Sequence, residues 1–92
     1  MMIHLRMNGV LKDHFGAERA ELHLADGATL KDLLAAVGER WGGTLPPYLW
    51  DGAARCFRGP VVLMIDNIPV SRLETPLSDG QEIALFKVLV GG

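Results

Sequence analysis

One apolar stripe of helical period constrains this chain more than any other feature. Leu30, Leu33, Leu34, Val37 and Trp41 fall on one face of a helix running from Leu30 to Trp41. A lone helix of this kind must cover an apolar surface, and alternating segments on both sides of it in the chain supply one. Ile3, Leu5 and Met7 alternate with His4, Arg6 and Asn8, the two-residue period of a strand with one wet face. A second strand reads Ala20, Leu22 and Leu24 inward, with Glu21 and His23 outward. Val61 to Ile65 reads as a nearly continuous buried strand and Ile68 to Val70 as its short return. Pro69 has no amide to donate and puts that return strand at an edge. Ile83 and Leu85 open the last strand.

The turn residues agree with this division. Asp66-Asn67 tolerates positive φ at both positions and predicts a tight hairpin. Asn8 is expected to cap a short helical turn that packs Leu11 against Phe15 and ends at Gly16. Thr29 and Asp32 form a weakened capping box at the start of the main helix. Gly38 costs that helix up to about 1 kcal/mol, and Gly42 or Gly43 is expected to give it a left-handed exit. Residues 42–60 carry Pro46, Pro47, Asp51, Gly52, Gly59 and Pro60, which break any long element. That segment reads as a surface excursion tethered by Leu45, Tyr48, Leu49 and Trp50. The order of elements predicts an α+β fold, a mixed sheet packed on one main helix, in a single domain over residues 1–92. The first and last strands are expected to be central neighbours.

Composition limits what such a domain can do. With 92 residues, the chain buries roughly 64% of its extended surface and makes one modest core, too small to enclose a large cofactor. Nine Lys and Arg stand against eleven Asp and Glu, for a net charge of −2, and there is no basic run of the kind a nucleic-acid partner requires. No segment approaches the roughly 20 apolar residues of a membrane span, and the first residues do not read as a secretion signal. Cys56 is the only cysteine, so no internal disulfide forms and a cytoplasmic location is expected. His4, His14 and His23 lack the spacing of a zinc site. Cys56 has no second thiol to resolve an exchange. Asp51, Asp66, Asp79 and Glu82 are scattered rather than paired for acid–base work. Glycines 42, 43, 52 and 59 lack the Lys-Ser or Lys-Thr ending of a phosphate loop.

The sequence ends Lys87-Val88-Leu89-Val90-Gly91-Gly92. Two glycines in the last two places arise by chance in about 0.5% of chains. Without side chains they can pass an extended terminus through a narrow channel and bring its carboxylate to a reaction centre in another protein. A frayed strand end with two small residues is the plainer alternative.

With that ending, the chain resembles the MoaD/ThiS-like family of small β-grasp, ubiquitin-like sulfur carriers. The family includes the small subunit of molybdopterin synthase and the sulfur carrier of thiamine biosynthesis. The resemblance rests on Phe15-Gly16, on Asp26-Gly27-Ala28-Thr29-Leu30-Lys31-Asp32-Leu33-Leu34, on the stretch from Thr75-Pro76 through Leu85-Phe86, and on Gly91-Gly92. It implies a β-grasp fold with no bound cofactor. The Gly92 carboxylate would be adenylated by an E1-like activating enzyme, which uses ATP. A sulfur donor or sulfurtransferase would then convert it to a thiocarboxylate. In the molybdopterin case that end would enter the large synthase subunit and surrender sulfur to a pterin precursor, with no catalysis by the carrier alone. Gly91, Val90, Leu89, Val88 and Lys87 would share the partner channel, and Phe86 matches an aromatic that packs on the partner. Lys87-Val88 stands where molybdopterin-type members usually have two prolines, and the long 42–60 segment departs from the compact thiamine type. The resemblance therefore also admits a carrier for cysteine, thiamine or another thio-metabolite, and a ubiquitin-like modifier or binding module.

Overall fold

The computed structural model describes residues 1–88. In chain order they form β1 (Met2–Met7), α1 (Leu11–Phe15), β2 (Arg19–His23), α2 (Leu30–Trp41), β3 (Trp50–Asp51), β4 (Cys56–Phe57), β5 (Val61–Ile65), β6 (Ile68–Val70) and β7 (Glu82–Lys87). The main sheet has the order β2-β1-β7-β5-β6. β1 and β7 run parallel at its centre, with Leu5 opposite Ile83, and every other pairing is antiparallel. The first and last strands are central neighbours, as expected from the order of elements. A mixed sheet with one dominant helix across one face is the β-grasp arrangement of ubiquitin-like proteins.

Ile3, Leu5 and Met7 of β1 and Ile83 and Leu85 of β7 meet the helical stripe Leu30, Leu33, Leu34, Val37 and Trp41, and all of these side chains are buried. The helix starts where its free N–H groups are answered. Asp32 accepts the Thr29 N–H at 2.8 Å, completing the capping box. Leu30 and Lys31 donate to the carbonyls of Thr75 and Leu73 at 2.9 and 3.0 Å. The loop before β7 thereby satisfies two amides that a helix start leaves without an internal partner.

Several local expectations are corrected. Asn8 does not cap α1, since Val10 holds that position without a side-chain bond. The Asn8 side chain instead reaches β7. Gly42 keeps helical angles (φ −54°) and Gly43 is not among the glycines of positive φ, so neither gives α2 a left-handed exit; Gly42 is small because a Cβ there would collide with the Gly38 carbonyl. Val61 to Ile65 alternates, with Val61, Leu63 and Ile65 buried and Val62 and Met64 half-covered, because only one face of β5 lies against the helix. Asp66 and Asn67 both adopt positive φ, 52° and 64°, as the hairpin required.

Residues 42–60 are more ordered than a simple excursion. β3 and β4 pair Trp50 with Phe57 and Asp51 with Cys56, and the Trp50 and Phe57 rings meet edge to face with centroids 4.9 Å apart. The Trp50 Cζ2 atom would lie 3.0 Å from a Cβ at Gly38. That close approach is why the helix carries a glycine there despite its cost. Leu45, Leu49 and Trp50 are buried, as expected of tethers, whereas Tyr48 is 54% exposed and belongs to the surroundings of β7.

Candidate functional site: the end of the central strand

β7 alternates sharply. Leu85 is 1% exposed beneath the helix, while the next residue, Phe86, is 37% exposed on the opposite face. Phe86 stands opposite Val62, Ala84 opposite Met64, and Met64 opposite Pro69. These residues form an apolar half of the outer sheet face. The other half is charged, with His4 Nδ1 and Arg6 Nη1 each 3.8 Å from a carboxylate oxygen, of Glu21 and Glu82 respectively.

The exit of β7 is held from two sides. Asn8 donates both its backbone N–H and its Nδ2 to the Leu85 carbonyl, at 3.1 and 3.2 Å. Three residues on, the Val88 N–H donates to the Pro60 carbonyl at 2.8 Å. The Lys87 ammonium lies over the Tyr48 ring, 5.5 Å from its centroid, and the Tyr48 hydroxyl lies 3.4 Å from His14 Nε2. A hollow of about 240 Å³ opens beside the strand end, lined by Asn8, Gly9, Val10, Phe86, Lys87 and Val88. Val10 and Val88 are both exposed there.

Phe86, Lys87 and Val88 are therefore brought together at one corner of the sheet. Leu89, Val90, Gly91 and Gly92 lie outside the described residues. Sequence reasoning missed Asn8, Val10 and Pro60 as neighbours of this end and gave Tyr48 the wrong setting. Only the long-range register of β7 against β1 and β5 places them there. Among the described residues, no group of three or more His, Cys, Asp or Glu side chains is placed to hold a metal. No described helix is long and apolar enough to cross a membrane.

Asp51 stands apart from this corner. Hydrogen bonding from the Ala54 N–H holds its carboxyl below the ordinary carboxylate range, against partial burial and with help from the Ala53 N–H and Arg58. The Oδ1 atom accepts both amides, at 3.1 and 3.0 Å, so this carboxylate pins the hairpin tip.

The central strand of this β-grasp domain thus ends beside an exposed apolar face. The chain belongs to the ThiS family, which it matches over residues 5–92. Its class is thus that of the small β-grasp sulfur carriers and ubiquitin-like modifiers. No curated protein matches the sequence significantly. Among solved structures it is similar to the small archaeal modifier protein SAMP1 of Haloferax volcanii, with TM-score 0.81, 17% identity and all of both chains covered. It is similar to a chain of the complex of subunits 1 and 2 of molybdopterin-converting factor from Helicobacter pylori, with TM-score 0.65, 26% identity and all of both chains covered. It also resembles a chain of the BexX/CysO complex of Amycolatopsis orientalis, with TM-score 0.64, 17% identity, and 98% and 99% of the two chains covered.

Proposed function

We propose that this protein is a sulfur carrier that works through the carboxylate of Gly92. The observation that carries the reading is the ThiS-family match over residues 5–92, which runs through the Gly91-Gly92 pair. A free carboxylate resists substitution. An E1-like enzyme would join it to AMP from ATP with release of pyrophosphate, and a sulfur nucleophile from a donor or sulfurtransferase would then displace AMP. The carrier supplies the electrophilic carbon and later the sulfur, while its partners supply nucleotide binding and charge stabilisation. Phe86 and the apolar half-face it shares with Val62, Met64 and Ala84 give those partners a docking surface. Gly91 and Val90, with Leu89, Val88 and Lys87, form the segment that enters the partner.

The recipient is drawn broadly. Lys87-Val88 replaces the two prolines of the molybdopterin type, and the family match is to ThiS proteins as a whole. Both favour a sulfur carrier for the making of cysteine, thiamine or another thio-metabolite over a role confined to molybdopterin or tungstopterin synthase. A second reading, conjugation to proteins, draws on the likeness in fold to a small archaeal modifier. Affinity capture of the full chain and of a chain ending at Val90 from producing cells, followed by mass spectrometry, tests both. The carrier reading expects a sulfur-bearing small-molecule product that depends on the final glycines. Branched Gly-Gly remnants on partner lysines without such a product would replace it with conjugation, and equal behaviour of the two chains would reject both.

A further inference from the structure

If the end of β7 is what partners receive, the direction in which it leaves the sheet matters, and the sheet itself stops supporting it early. The pairing with β1 closes at Met7 opposite Leu85, and the pairing with β5 closes at Val61 opposite Lys87. At that point two specific interactions hold the strand end. One is the Val88 N–H on the Pro60 carbonyl, and the other is the Lys87 ammonium over Tyr48. Both come from residues 42–60, the segment without an obvious use in the sequence. Among the described residues Lys87 takes part in no ion pair, so the Tyr48 ring is its specific partner. Tyr48 is itself 54% exposed. It adds little to the core, but its ring also meets His14 edge-on, at a centroid distance of 6.3 Å.

We propose that Tyr48 is a positioning residue: its ring holds Lys87 and, together with the Pro60 carbonyl, braces the end of β7 in the orientation that the activating enzyme receives. The inference rests on the carrier reading for its purpose, but the brace can be observed without it. A strand end held in its bound direction spares the partner the entropy of ordering it. An exposed cation–π contact supports an effect of about two- to fivefold in an equilibrium. The gain appears in binding, as a lower KM, and leaves kcat alone because the brace does not touch the reacting carboxylate.

The test uses full-length protein and three substitutions, Tyr48→Ala, Tyr48→Phe and Lys87→Met. Amide hydrogen exchange at Val88 reads the brace, with Leu63 and Leu85 in the paired sheet as internal controls. Tyr48→Ala and Lys87→Met should each lower Val88 protection about two- to fivefold while Leu63 and Leu85 keep theirs. Tyr48→Phe keeps the ring, loses only the hydroxyl contact to His14, and should retain wild-type protection. With an activating enzyme, ATP and the same carrier, Tyr48→Ala should raise KM by the same factor at unchanged kcat, and Tyr48→Phe should not. Unchanged Val88 protection in Tyr48→Ala, or equal loss at all three amides, would overturn the brace. An altered exchange pattern with an unaltered KM would overturn its role in presentation. Failure of the wild-type chain to be activated by an enzyme proven on another carrier would sink the carrier reading, while the exchange result still decides the brace.

Discussion

Truncating Phe86 and its neighbour Leu85 separates a docking residue from a core residue one step along the same strand. Leu85 is 1% exposed, and buried leucines lose about 2–5 kcal/mol on truncation to alanine, so Leu85→Ala should cost about 3 kcal/mol. Phe86 leaves 37% of its surface open. Full burial of such a side chain is worth about 1.5–3 kcal/mol, and the covered share brings Phe86→Ala to about 1–2 kcal/mol. For a domain of this size each kcal/mol moves the melting temperature by about 4–8 °C. Phe86→Ala should therefore melt about 4–16 °C lower, and Leu85→Ala about 12–24 °C lower. Partner affinity should reverse the order. A central interface aromatic costs more than about 2 kcal/mol when removed, roughly 30-fold in Kd. Calorimetric melting beside titration of the activating enzyme, below the melting temperature of both variants, reads the two quantities separately. If Phe86→Ala destabilises as much as Leu85→Ala while the folded variant binds its partner normally, Phe86 is a packing residue and the docking argument fails.

Three further outcomes follow from particular contacts. Gly38→Ala gains up to about 1 kcal/mol of helix propensity, but its methyl meets Trp50 at 3.0 Å with Phe57 behind the indole; overpacking of about 1–3 kcal/mol should win and lower the melting temperature, and a rise would contradict the close approach. Asn8→Ala removes the Nδ2 bond to the Leu85 carbonyl and should cost about 1 kcal/mol, whereas Asn8→Asp sets a carboxylate against that carbonyl and should cost more by chemical denaturation at neutral pH. Because the Asp51 carboxyl is held low in the folded chain by the Ala54 N–H above all, its contribution is fully present above the ordinary carboxylate value and is lost as pH falls through the lowered one. The Ala53 and Ala54 amide resonances should report that titration in acid, and Asp51→Asn should abolish it.

The parts of this fold that were legible in the sequence are those whose own periodicity decides them. The stripe from Leu30 to Trp41, the alternation of Ile3, Leu5 and Met7, and the Asp66-Asn67 turn each reflect a local pattern that the sheet then uses unchanged. The β3–β4 hairpin left no such trace, because each strand has two residues and is positioned by the Trp50 and Phe57 rings. Gly42 read as one of two candidates for a left-handed helix exit and is instead a close approach to the Gly38 carbonyl, a distinction only backbone geometry reveals. At the site, the contrast between buried Leu85 and exposed Phe86 is the two-residue period of a strand, a local property of the sequence. Tyr48 and Asn8 have no such local signal, since their partners lie 39 and 77 positions away, at Lys87 and Leu85.

The central claim is that Gly92 carries a carboxylate which partners activate and load with sulfur. Its most direct test is the intact mass of the purified chain, with fragmentation of its last peptide, after incubation with an E1-like enzyme, ATP and a sulfur donor. The account predicts one oxygen exchanged for sulfur at Gly92, absent without ATP and absent from a chain ending at Val90. The same exchange on the shortened chain, or none on the full chain when the enzyme loads another carrier, would contradict it.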